Sequence, residues 1–105
     1  MAATLFSSGR REEAYEMALE GLSQGNPRGC YELGMLLYAE GDFISAVIWN
    51  EKCLNEAPDW PYGFLAMHSI AACYHKAGVP KMADFWARIV LERAPFFQPS
   101  QGFLL

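Results

Sequence analysis

The sequence predicts an all-α fold: an α-solenoid of antiparallel helix pairs, with about two and a half repeats. Apolar residues recur at helical spacing, Gly and Pro interrupt the chain between those stretches, and four residue pairs share one separation of 37 positions. The four pairs are Leu33 and Ile70, Gly41 and Gly78, Ala46 and Ala83, and Pro58 and Pro95. A separation that recurs four times indicates a tandem repeat.

A partial copy precedes these two repeats, because Gly9 and Ala14 stand five positions apart, as Gly41 and Ala46 do. We therefore expect one helical-repeat domain over residues 1–105. Its predicted parts are a partial repeat 1–26, a repeat 27–60, a repeat 61–97 and an apolar C-terminal tail 98–105.

Turn residues predict the helix boundaries. A helix over Arg11 to Leu22 is ended by Gly25. The dipeptide Asn26-Pro27 then starts a helix to about Tyr38, since Asn caps free amides and Pro needs no donor in the first turn.

Gly41-Asp42 ends that helix and starts the next one. Asp42 is the expected N-cap of a helix that reaches Glu56. Pro58 and Pro61 mark the following break. Two further helices are predicted, over Tyr62 to Lys76 and over Pro80 to Arg93.

Each predicted helix carries an apolar stripe for a core. On the helix from Pro27 the stripe follows the spacing i, i+3, i+4, i+7 and consists of Cys30, Leu33, Gly34 and Leu37. The expected opposing surface consists of Ala46, Cys53, Leu54 and Ala57. One helix pair buries only one side, so the units must stack on each other.

Composition excludes several classes of protein. An apolar fraction of 52% is too high for a disordered chain. A net charge of −4 opposes binding to nucleic acid and to anionic membranes. The first residues show no basic region followed by an apolar one, and no apolar stretch of about 18 residues occurs, so we expect neither a signal peptide nor a membrane span. Three cysteines without a C-x-x-C pair favour a reducing cytoplasm over a disulfide framework.

The first full repeat resembles a tetratricopeptide repeat. That family has the pattern W-x2-L-G-x2-Y, A-x3-F and P over about 34 residues. The corresponding residues here are Cys30, Leu33, Gly34, Leu37, Ala46, Asn50 and Pro58. The next copy has Met67, Ile70, Ala71, Tyr74, Ala83, Ala87 and Pro95.

Two features depart from this pattern. Cys30 and Met67 replace its leading aromatic residue, and the spacing of 37 is longer because of extra residues near Asp59 to Tyr62. Trp49 and Trp86 resemble a related bacterial repeat family of slightly longer period. Both families form helical solenoids.

The resemblance implies that the first helix of each pair lines a concave surface. The candidate partner-binding residues on these helices are Arg28, Tyr31, Met35 and Tyr38, and their equivalents Leu65, His68, Ala72 and His75. The alternative is that Tyr31, Met35 and Tyr38 only pack against a neighbouring helix. The Lys and Asn clamp that some family members use for C-terminal carboxylates is absent here.

Other chemistry is not expected. The sequence has no nucleophile, phosphate-loop or metalloprotease motif, so we expect neither an enzyme nor a cofactor. His68 and His75 are about 10 Å apart along a helix, too far to share a metal ion.

The expected function is therefore binding of a peptide or helix of a partner protein, as an adaptor or scaffold. A small acidic secretion-type chaperone and a self-associating structural module stay open as alternatives. Self-association would use the last repeat, because Pro80 to Arg93 carries more apolar residues than one neighbouring helix covers. We expect the tail or a second copy to cover that surface.

Overall fold

A computed structural model describes residues 11–105, which form five α-helices and no strand. The helices are α1 (Arg11–Ser23), α2 (Arg28–Ala39), α3 (Phe43–Glu56), α4 (Gly63–Lys76) and α5 (Pro80–Arg93), followed by a 3₁₀ helix (Gln98–Phe103). The predicted all-α fold is confirmed. Gly9, on which the partial repeat partly depends, lies outside the described residues.

Glycines end three of the helices by adopting a left-handed backbone. Gly25, Gly41 and Gly78 have φ angles of 79°, 84° and 80°. The next amide then reaches back to an otherwise unpaired helix carbonyl: Asp42 N–H to Leu37 O and Val79 N–H to Tyr74 O, both at 2.9 Å. These hydrogen bonds close tight turns that reverse the direction of the chain, so the two helices of a pair run antiparallel.

Side-chain caps fix two helix starts close to the predicted positions. Ser45 N–H donates to Asp42 Oδ1 at 3.3 Å, which confirms Asp42 as the N-cap of α3. Arg28 N–H donates to Asn26 Oδ1 at 3.1 Å, with Pro27 between them. α2 therefore begins one residue later than expected, and α4 likewise begins after Tyr62.

Each helix packs against the next along the chain, and α2 and α4 also touch each other. α2 with α3 and α4 with α5 form the two helix pairs, and α1 packs on α2. The predicted stripe of α2 is fully buried, as are Ala46 and Cys53 of α3. Leu54 and Ala57, expected to oppose that stripe, are only half-buried, because they lie near the end of α3 where the chain turns to α4.

The core of the first pair holds one polar side chain, that of Asn50. Its Nδ2 donates to Ala46 O at 2.8 Å and to Ser69 Oγ at 3.2 Å. A Cβ on Gly34 would lie 2.5 Å from that nitrogen, so Gly34 makes room for the amide. In the second pair the equivalent positions are both alanine, Ala71 and Ala87, and both are buried. The same contact between the two helices of a pair is therefore made by Gly34 and Asn50 in the first pair and by Ala71 and Ala87 in the second.

The C-terminal segment occupies the position of a further first helix. Its 3₁₀ helix packs against α4 and α5, as α4 packs against α2 and α3. Trp60 contacts Tyr31 with ring centroids 5.9 Å apart, and Phe97, 37 positions after Trp60, contacts His68 at 4.9 Å. The tail thus takes the place where a third helix pair would begin, and its 3₁₀ helix ends after two turns.

The tail covers a different part of α5 from the one expected. It packs against both α4 and α5, and Leu105 N–H donates to Asp84 Oδ1 at 2.9 Å. Phe85, on the outer side of α5, stays 53% exposed. The tail therefore leaves Phe85 uncovered because it follows the repeat register, and coverage of Phe85 by a second copy, the other expected possibility, stays a prediction.

Replacing Ala83 with Leu should lower the free energy of unfolding by about 1 to 3 kcal/mol, since Ala83 is fully buried and has no room for three more carbons. Urea denaturation of the two chains measures the difference. Lys81→Leu, on the exposed first turn of the same helix, is the control and should change stability by less than about 0.5 kcal/mol. Equal effects would contradict the close helix contact at Ala83.

Candidate functional site

Two adjoining depressions lie between α2 and α4, and together we call them the groove. The first has a volume of about 550 Å³ and is lined by Asn26, Arg28, Tyr31, Trp60, Tyr62 and Leu65. The second has a volume of about 350 Å³ and is lined by Tyr31, Met35, Tyr38, Leu65, His68, Ser69, Ala72 and Phe103. Tyr31 and Leu65 line both depressions, so the groove is continuous.

The groove contains seven of the eight predicted residues. Steps of three, four and three positions place one stripe along α2 and the equivalent stripe along α4. His75, the eighth, lies at the end of α4 and lines neither depression; its ring contacts that of Phe103 at 5.1 Å. The structure therefore brings the two predicted stripes onto one face.

The side chains of α2 divide between packing and exposure. Tyr31 packs on Trp60, and Tyr38 packs on Phe43 with ring centroids 5.5 Å apart; both tyrosines are half-buried against the core. Met35 between them is 49% exposed. The two tyrosines thus do pack against neighbouring rings, whereas Met35, about one helical turn from each of them, faces solvent.

Fixed charge is confined to one end of the groove. Among the described lining residues only Arg28 carries it, and this side chain is 77% exposed and pairs with Glu32 at 3.7 Å. Burial raises the pKa of Tyr31, so its phenol stays protonated and can donate a hydrogen bond. The rest of the groove is apolar or neutral.

His68 lies beneath the tail at the other end. Its Nδ1 shares a hydrogen bond of 2.7 Å with Ser100 Oγ, and its ring centroid lies 5.3 Å from that of Phe103. Burial lowers the pKa of His68, so the imidazole is neutral at pH 7.

Acidification is expected to destabilise the chain through His68. Because the folded-state pKa lies below the ordinary value of 6.5, a fall in pH through that value protonates the unfolded chain first. The contribution of His68 to the free energy of unfolding is complete above this pH and is lost below it. Urea denaturation at about pH 7.5 and about pH 5.5 should show a lower free energy of unfolding at the lower pH. This drop should be smaller in the His68→Gln variant than in the unaltered chain. An equal drop in both chains would contradict this assignment.

The remaining reactive groups lie outside the groove. Burial raises the pKa of Cys30 to about 12 and those of Cys53 and Cys73 to about 11, so all three stay thiols at pH 7. Within residues 11–105 no cluster of His, Cys, Asp or Glu is arranged to hold a metal ion. No α-helix in this part of the chain is long and apolar enough to cross a bilayer.

Sequence reasoning missed five residues that line the groove, and one of them, Asn26, was expected only to start a helix. Trp60 and Tyr62 come from the loop that lengthens the repeat, and their rings contact each other at 6.0 Å. Ser69 and Phe103 complete the second depression. The register of 37 positions offered one signal for the tail, because it aligns Phe97 with Trp60.

Comparison of the chain with protein-family profiles, curated protein sequences and solved structures gives no match. The tetratricopeptide assignment therefore stays a prediction, beside an all-α repeat fold with a groove between its first helices.

Proposed function

We propose that this chain is a protein-interaction module that binds a peptide or helix of a partner protein in the groove. The observation that supports this most is the exposure of Met35 between two half-buried tyrosines. Rigid aromatic walls around an adaptable thioether are typical of surfaces that bind apolar side chains. The fold alone would not justify the proposal, since one fold hosts many functions.

The dimensions of the groove suit a short segment. From Arg28 to Tyr38 the helix rises about 15 Å, the length of roughly five residues of extended chain or ten of helix. Because the groove is neutral beyond Arg28, we expect apolar anchors at its centre. An acidic group on the partner would fit only at the Arg28 end. The buried, protonated thiols are compatible with the cytoplasm, where we place the interaction.

Self-association is the second candidate, and exposed apolar side chains on the outer faces favour it. Phe85 on α5 and Ile48 on α3 are 53% and 58% exposed and stand 37 positions apart, so both helix pairs present an apolar group at the same place. Light scattering across a concentration series distinguishes this candidate from binding in the groove.

Replacing Met35 with Glu should weaken partner binding at least tenfold, about 1.4 kcal/mol, because a carboxylate would enter a neutral apolar depression. Affinity purification from the native host, followed by titration of the recovered protein, measures the change. Because Met35 faces solvent, the folded chain should keep its cooperative melting.

Ile48→Glu is the matched control, since Ile48 is similarly exposed but lines a separate depression on α3. It should leave the affinity unchanged. If Ile48→Glu weakens binding and Met35→Glu does not, the partner binds the outer face and the proposal is wrong.

A further inference from the structure

Phe97 and the tail that follows it present three side chains to the body of the protein, spaced three positions apart. A 3₁₀ helix has three residues per turn, so Phe97, Ser100 and Phe103 lie on one face. Ser100 is fully buried and both phenylalanines are half-buried. The intervening Gln98, Pro99, Gln101 and Gly102 are exposed. The segment therefore binds the body through an aromatic, hydroxyl, aromatic pattern.

His68 is the centre of this contact. The Phe97 ring lies 4.9 Å from the His68 ring and 5.3 Å from that of Phe64, so it fills the space between two α4 side chains. The Ser100 hydroxyl can donate or accept, so it suits either neutral tautomer of His68. Phe103 lies against His68 and His75 and forms one wall of the second depression.

Few hydrogen bonds hold the tail to the helices. One hydrogen bond joins His68 to Ser100, and one other joins residues 98–105 to the helices, donated by Leu105 N–H to Asp84. Helices of the 3₁₀ type have poorer hydrogen-bond geometry than α-helices. Exposed segments with few buried contacts open at low free-energy cost. The tail is thus the part of the groove wall that can exchange.

We propose that the tail is a resident occupant of the His68 end of the groove, and that the partner segment competing for this end carries the same pattern: an uncharged stretch with two aromatic side chains on either side of a Ser or Thr hydroxyl. This inference rests on the proposed function of the groove. The tail itself shows which chemistry His68 and its neighbours accept. A charged segment would bury its charge against the rings of Phe64, His68 and His75, and Asp84, the carboxylate that contacts the tail, is already paired with Arg88.

Tethering gives the resident segment an advantage over any free competitor. A short tether holds its segment at an effective concentration on the order of millimolar. A free segment of equal intrinsic affinity therefore binds weakly to the intact chain. Weakening the tail's own contacts should expose the site and strengthen binding of the free segment.

A labelled peptide of residues 96–105 is the probe, titrated into full-length chains by fluorescence anisotropy. The double variant Ser100→Ala and Phe103→Ala should bind it at least tenfold more tightly than the unaltered chain does. Gln101→Ala is the matched control, because Gln101 is exposed on the same segment, and should behave like the unaltered chain. Adding His68→Ala to the double variant should abolish the gain.

Equal affinities in all chains, or a gain that survives His68→Ala, would overturn the proposal. Amide hydrogen exchange of the unaltered chain provides a second measurement in case the double variant does not fold. Residues 98–103 should exchange faster than α4, and equal protection would overturn the idea of an exchangeable tail. These tests address only the tail, whereas the Met35→Glu comparison tests binding in the groove, so one proposal can fail without the other.

Discussion

Replacing Ile70 with Ala is expected to lower the free energy of unfolding by about 2 to 5 kcal/mol, because the fully buried side chain leaves a cavity in the core. Leu33→Ala, at the equivalent position of the first repeat, should have a similar effect. Such losses are large against the total stability of a small domain, so either variant will melt at a much lower temperature.

Ile44→Ala provides the matched control, since the same atoms are removed from a side chain that is 67% exposed. It should cost less than about 0.5 kcal/mol. Urea denaturation of the three variants compares the sites. A large effect at Ile70 with a small one at Leu33 would show that the two positions are not structural equivalents, which would contradict the repeat.

Replacing Gly34 with Ala should also destabilise the chain, by about 1 to 3 kcal/mol, although Ala is the better helix former. The added methyl would meet Asn50 Nδ2 at 2.5 Å and displace a buried amide that donates to Ala46 O and to Ser69 Oγ. The loss of those bonds adds to the steric cost.

Combining Gly34→Ala with Asn50→Ala should restore most of the stability, because the second repeat has alanine at both equivalent positions. The coupling between the two changes is measured by a double-mutant cycle in urea. Additive effects, with no rescue, would contradict the assignment of Gly34 and Asn50 as one packing unit.

Local signals in the sequence were sufficient to predict most of the helical frame. As expected, Gly41 ends one helix with a left-handed backbone, and Asp42 caps the start of the next helix. Pro80 also starts α5 where predicted. These features depend on neighbours within one helical turn, so the sequence contains the information directly.

Helical spacing predicted that Tyr31 and Met35 share one face, and the resemblance to the repeat family implied that this face lines a groove. Neither could predict what lies opposite them. In the sequence, Asn50 departs from the repeat pattern. The structure explains this residue by its neighbours on two other helices, because Gly34 leaves room for its amide and Ser69 accepts a hydrogen bond from it. Such contacts depend on how helices pack, not on local spacing.

The tail was the least predictable element. Its apolar residues indicated that it must be covered, but a segment of this composition can pack against any exposed apolar surface. The contact with His68 depends on a hydrogen bond with Ser100 and on two rings, that of Phe97 just before the 3₁₀ helix and that of Phe103 at its end. Only the fold shows that α4 and α5 leave a site for them.

Binding in the groove can be observed directly through the methionine methyl groups. Met35 lies in the groove, whereas Met17 lies on α1 in a separate depression and Met82 lies on α5. In a chain labelled with ¹³C at these methyls, addition of the partner segment should shift or broaden the Met35 signal and leave those of Met17 and Met82 in place. An unmoved Met35 signal, with a shift at Met17 or Met82, would contradict the groove as the binding site.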